Sequence, residues 1–323
     1  MATRKSSRVN RKYKTRYRVQ NWPEYERGLR ARGDVTIWFS DEAVAAWTPP
    51  PSGLRGGQRQ YSNLAILTSL TLRLVFHLPL RQTEGFVGSL LRLMGLDLKA
   101  PDHSTLSRRG EDVEVPTLCR EHDGPIHLVV DSTGLKISGV GDWSTRKHRK
   151  GKVRRGWRKL HIGVDDNGLV VAALLTESRK DDASVVPDLL EQIDGKVRRF
   201  TGNGAYDRRL VYDKVASGGT EDVVVVVPPR RSAVADKNAN GAWSQRNSHL
   251  ERIEEIGRRA WLKESGYRQQ ARAENTFFRW KWMLGDRVHS KRFEAQRREA
   301  MIGCGVRNRM FELGKPRSQA VAA

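Results

Sequence analysis

Three polar side chains in the 323-residue chain stand where chemistry could be done: Asp131, Asn203 and Glu274. Asp131 closes the apolar run at residues 126–130, within Val129-Val130-Asp131-Ser132-Thr133. A carboxylate at the end of a central strand is held rigidly by the sheet and opens onto the cleft at its edge, although Asp serves equally as a turn residue there. Asn203 lies between two glycines in Thr201-Gly202-Asn203-Gly204-Ala205-Tyr206-Asp207, where missing Cβ atoms let the backbone approach a neighbour or ligand. Asp207 falls at a helix start, a capping position. Tyr267, Glu274 and Lys281 are each seven apart, close to two helical turns, and so line one helix face. Arg268, Arg272 and Arg279 surround that acid. Two readings stay open for Glu274. It is an exposed member of an ordinary salt-bridged helix, or it lies on a DNA-facing helix where only a metal cation relieves its repulsion of phosphate.

The elements that must position these residues alternate between strand and helix. Residues 126–130, 159–164 and 169–175 read as strands, the last two joined by Asp165-Asp166-Asn167-Gly168, and an Asn-Gly turn between β-rich runs is a strong hairpin signal. A helix follows over 184–193, capped by Ser184, with Pro187 in its first turn where a missing N–H costs little. Residues 197–201, 207–215 and 223–227 read as strand, helix and buried strand. The order β–β–β–α–β–α–β and then α predicts an α/β, RNase H-like fold, a mixed sheet with helices on both faces.

The N-terminal third reads as helical. Leu64, Leu67, Leu70, Leu72, Leu74 and Val75 give an apolar pattern broad enough for a buried helix, ended by His77-Leu78-Pro79. A second helix is expected over 83–94 and a short basic one over 105–109, with Asp102 and Ser104 as caps. This succession fits a helix-turn-helix-like DNA module and a plain helical bundle equally. The expected domains are a basic flexible arm (1–24), a helical DNA-binding domain (25–122) and an RNase H-like catalytic domain (123–318) with an inserted segment near 229–262.

Net charge narrows the partner. The chain carries 59 Lys and Arg against 37 Asp and Glu, a formal charge of +22. Residues 1–20 hold eight Lys or Arg and no acid. The run at 146–159 holds nine: Arg146, Lys147, Arg149, Lys150, Lys152, Arg154, Arg155, Arg158 and Lys159. Unmixed like charges repel one another, so both runs are expected to bind phosphate, and double-stranded DNA is the expected partner. Apolar stretches fall short of the ~20 residues of a membrane span, and two cysteines make no disulfide framework, which together point to the cytoplasm. Cys119 with His122 lacks a second ligand pair for zinc, and Gly139-Val140-Gly141 lacks the Lys-Ser/Thr of a phosphate loop. Trp143 and Trp157 beside the basic run either pack or stack on a distorted base.

Taken together, Asp131-Ser132-Thr133-Gly134-Leu135-Lys136, Gly202-Asn203-Gly204-Ala205-Tyr206-Asp207 and the Tyr267, Glu274, Lys281 spacing resemble the DDE transposases of bacterial insertion sequences, and more closely the subgroup with a Tyr-x2-Arg-x3-Glu-x6-Lys signature. The likeness covers roughly residues 60–318. It implies that Asp131, the residue at 203 and Glu274 hold two Mg²⁺ ions, with Mn²⁺ as a substitute. Those ions serve cleavage at terminal inverted repeats and joining of the ends to target DNA. It further implies DNA contacts from Tyr267, Arg268, Arg272 and Lys281, and a homodimer or higher assembly on two ends. Two positions depart from the pattern: Gln270 stands where the signature has Arg, and Asn203 where the family has its second catalytic Asp, by deliberate substitution or natural decay. A neutral amide cannot bridge two cations as a carboxylate does, so impaired catalysis is expected. A DNA-bridging protein without catalysis and a structure-selective nuclease on the same fold are the alternatives.

Overall fold

The structure is a computed structural model that describes residues 16–51, 53, 55–118, 122–139 and 156–321. Most of the basic run, from Arg146 through Arg155, lies outside the described residues, as do Cys119, Trp143 and most of the N-terminal arm. The chain divides into two compact units, one from the two chain ends up to Ile37 and from Arg309, the other Trp38–Asn308.

In the smaller unit β1 (Arg16–Val19) pairs antiparallel with β8 (Ser318–Val321), Arg16 opposite Val321. Helix α1 (Trp22–Ala31) carries Pro23 in its first turn, where its absent N–H lies among groups left unbonded at any helix start. Asn21, just before it, donates to the Lys315 carbonyl at 3.0 Å and accepts from the Arg317 N–H at 2.7 Å.

Short helices α2 (Val35–Trp38) and α3 (Asp41–Ala45) lead to α4 (Asn63–Val75), capped by Ser62 accepting from Ala65 N–H at 3.0 Å. It buries Ala65, Ile66, Leu70 and Leu72 and stops before Pro79, as the broad apolar pattern predicts. Helix α5 (Leu80–Leu93) starts three residues earlier than expected, because extended Pro79 itself forms the cap. The chain turns through 111° between α4 and α5. Helix α6 (His103–Arg109) follows, with both Ser104 and Thr105 N–H groups bound by the Asp102 carboxylate.

The sheet comprises, among the described residues, β2 (Ile126–Ile137), β3 (Trp157–Val164), β4 (Val170–Glu177), β5 (Val197–Gly202) and β6 (Gly219–Val226), in the order β4-β3-β2-β5-β6. The short strand β7 (Arg287–Val288) adds to β2. β2, β3 and β4 pair antiparallel, whereas β5 and β6 run parallel to β2. This mixed α/β arrangement is consistent with an RNase H-like domain. Alternate β2 residues Ile126, Leu128 and Val130 join Phe200, Val171 and Val225 in one core. Helices α7 (Val186–Leu190) and α8 (Arg209–Gly218) cover that face through Val186, Leu189, Val211, Tyr212 and Val215. After α9 (Ser244–Ile256) and α10 (Arg258–Glu264), helix α11 (Ala271–Leu284) packs against β2 and β3, and α12 (Phe293–Leu313) follows.

One expectation is corrected by the pairing. Asp131 does not end its strand: β2 continues to Ile137 because β3 remains its partner through Lys136. What ends at Val130 is the parallel ladder with β5, whose last pair is Val130 with Gly202.

Candidate active site

Asp131 alternates onto the β2 face opposite Val130, one step past the last β5 pair. By that register Asn203 emerges beside it. Its amide Nδ2 donates to Asp131 Oδ1 at 2.9 Å, while its Oδ1 accepts from the Ala205 N–H at 2.8 Å. The second bond fixes the amide, since a flip would set two donors together at Ala205 and two acceptors together at Asp131. Gly202 is required here by space: an added Cβ would stand 2.8 Å from the ring of buried Tyr206, which anchors the 3-10 turn Gly204–Tyr206.

The Asp131 carboxyl is held above the ordinary carboxylate range, first by burial and then by the charges of Glu274 and Asp182. Hydrogen bonds from the Ser132 N–H and from Gln270 pull it partly back. Gln270 is buried and also donates to the Val130 carbonyl at 3.1 Å, so it bridges β2 to the α11 region. The Tyr267 hydroxyl is pushed up by burial and by the charges of Asp131 and Glu274. Tyr267 occupies a 3-10 turn, Tyr267–Gln270, and only from Ala271 does the α-helix carry Glu274 and Lys281. Glu274 is exposed in the first turn of α11, and Lys281 donates to Thr133 Oγ1 at 2.7 Å, two residues beyond Asp131.

The expected DNA contacts divide. Arg268 is exposed, whereas Arg272 lies 3.6 Å from Asp166. Arg158 donates to Gln296 Oε1 at 2.7 Å and stacks 4.8 Å from Phe293, and Lys159 pairs with Asp182 at 2.8 Å. These last two are tied within the protein. Asp207 is no helix cap: it accepts from Arg246 at 2.8 Å and from the Arg230 N–H at 3.2 Å, and Arg208 holds the cap position of α8.

Asp182 is a further member of this neighbourhood, beyond the residues that motif and spacing single out. Its carboxyl is held far below the ordinary range, despite burial, by hydrogen bonds from His161, Lys159 and Ser132. This clamps the Ser132 side of Asp131 to β3. The only local signal is the pair Asp181-Asp182 before Ser184, which resembles any helix start.

The residues present do not fit a pair of metal ions. Asn203 turns a donor toward Asp131, and Asp182 is engaged by Lys159 at 2.8 Å and by the Ser132 side chain. Among the described residues no three His, Cys, Asp or Glu side chains gather to hold a metal. Nor is any single described helix long and apolar enough to cross a membrane. Two family models, each described as a transposase DDE domain, match residues 30–140 and 122–309.

Proposed function

The chain belongs to the DDE transposase family, and from that premise we propose that it binds the terminal inverted repeats of an insertion sequence, pairs them, and is impaired in cutting them by Asn203. DDE transposases use divalent metal ions such as Mg²⁺. The observation that carries the proposal is the 2.9 Å hydrogen bond from Asn203 to Asp131. It satisfies the central carboxylate internally, at the place where a second carboxylate would create a demand for a cation. The remaining parts suit DNA. The charge of +22 supplies phosphate affinity. Lys281 reaches over β2 beside Asp131, and the 111° turn of α4 and α5 followed by α6, with Arg108 exposed, supports the helix-turn-helix-like reading.

The test is a cleavage and strand-transfer assay on labelled inverted-repeat ends with Mg²⁺ and with Mn²⁺. The native chain is expected to bind ends and leave them uncut, and Asn203→Asp to cut them with an affinity changed by less than about tenfold, since binding rests on many cations. Efficient Mg²⁺-dependent cutting by the native chain overturns the proposal.

A further inference from the structure

The parallel strands β2, β5 and β6 deliver their following residues side by side. Val130 pairs with Gly202 and Thr201 with Val226, which sets Asp131, Asn203 and Pro228 in a row. The row is tight: a Cβ added to Gly204 would lie 3.4 Å from the Pro228 carbonyl oxygen. Two residues later the chain reaches Arg230, which with Arg208 and Arg209 is exposed at an open cavity of about 430 Å³.

In the floor of that cavity two opposite charges are paired, and Asp236 lies beside it, accepting from the Trp243 ring N–H at 2.9 Å. Asp207 and Arg246 are both buried and joined at 2.8 Å, and the Arg246 guanidinium stacks 4.8 Å from the Trp243 ring. The rim is different. Arg209 is shared with Asp213 at 3.6 Å and with Asn240. Arg208 and Arg230 form no ion pair among the described residues. Helix α8 begins at the same rim with no acid in its first turn, so its free N–H groups add partial positive charge. Guanidiniums that line one cavity rim can be joined by an anion with several oxygens, and a phosphate offers such oxygens for paired hydrogen bonds.

We propose that this cavity is a phosphodiester-binding site, in which Arg208 and Arg230 hold the DNA strand on the β6 side of Asp131 and Asn203. A 3-10 turn of three residues separates Asn203 from Asp207. It rises about 6 Å, which corresponds to roughly two base steps along a strand. Lys281 contacts β2 from the α11 side, so DNA lying across the strand ends meets cations on both flanks. The inference rests on DNA being the ligand of this chain.

The experiment measures affinity of the full-length chain for a short labelled duplex of arbitrary sequence, by fluorescence anisotropy over a range of salt. Arg208→Gln with Arg230→Gln is expected to make the slope of log affinity against log salt shallower by about 0.9 for each phosphate no longer neutralised, and to weaken binding at low salt about tenfold or more. Arg208→Lys with Arg230→Lys keeps the charge and should keep most of the slope. An unchanged slope in the Gln pair, beside steep binding by the parent, overturns the inference and leaves the proposed function standing. Loss of a DNA-free dimer in the Gln pair also overturns it, by assigning the rim to an acidic surface of another copy. Salt-independent or absent binding by the parent removes both readings.

Discussion

Replacing Asn203 by Asp converts a hydrogen bond into a collision of like charges. The amide nitrogen that now donates to Asp131 becomes an oxygen about 2.9 Å from a carboxylate, because the other oxygen stays bound to the Ala205 N–H. Two unit charges at that separation repel by about 6 kcal/mol at an effective dielectric constant near 20, and by about 1.4 kcal/mol in water. Both residues are half-buried, so the cost lies between these limits. A charge-assisted hydrogen bond of about 1.5–3 kcal/mol disappears as well. The folded pair escapes by keeping one proton that the unfolded chain has released, and it titrates as a unit. With more protons bound folded than unfolded, stability must fall as pH rises from the ordinary carboxylate range through the raised value of the pair, and level off above it. The parent should show the same sign more weakly, since its Asp131 is already raised by burial, Glu274 and Asp182. Thermal unfolding from about pH 4 to 8 reads this directly. At the alkaline end we expect a deficit of a few kcal/mol, which at about 2 °C per kcal/mol for a chain of this size is roughly 5–10 °C. Mg²⁺ should restore much of it in the variant and do little for the parent, since a ligand that binds only the folded state stabilises it. Equal melting temperatures at high pH without metal would refute the reasoning.

DNA affinity of the native chain should fall about a thousandfold or more between about 50 and 200 mM salt if some six to ten phosphates are contacted, as equilibrium titration will read. Arg246→Met strands the buried Asp207 carboxylate and should cost about 3–5 kcal/mol in urea unfolding, much of it recovered by adding Asp207→Asn. Gly202→Ala drives a methyl group to 2.8 Å from the Tyr206 ring and should cost about 1–3 kcal/mol, read as a lowered melting temperature. Glu274→Gln removes one of the charges that raise Asp131, so an NMR titration of the Asp131 carboxyl carbon should move toward lower pH.

The strands and the Asp165–Gly168 turn are legible in the sequence because alternation and turn chemistry are local; Leu169 N–H does bind Asp165 Oδ1 at 2.8 Å. The neighbourhood of Asp131 and Asn203 is legible too, once the strand order is inferred, since parallel strands must set their following residues together. The strand end at Asp131 is misplaced by a local reading because two partners share β2 and only one of them stops there. Spacing sets Tyr267 on a common α-helical face with Glu274, yet Gly266, in the left-handed region at φ 70°, is followed by a tighter 3-10 turn. Asp182, Arg158 and Lys159 escape a local reading for one reason. Gln296 lies 138 residues from Arg158, and Lys159 and Asp182 meet only across the fold. A run of cations looks the same whether its members point to phosphate or to a half-buried acceptor of their own fold.

The pairing of Arg16–Val19 with Ser318–Val321 links assembly to the order of synthesis. Its two strands are the first and last of the described elements to leave the ribosome. At about 5–20 residues per second, β1 waits on the order of 15–60 s for its partner. Until then its backbone groups form an open edge able to pair with another chain. Assembly of this unit is therefore completed only once Ser318–Val321 has been synthesised. A chain trimmed by protease within 318–321 would return to the nascent condition, with the same strand uncovered and the risk of aggregation renewed.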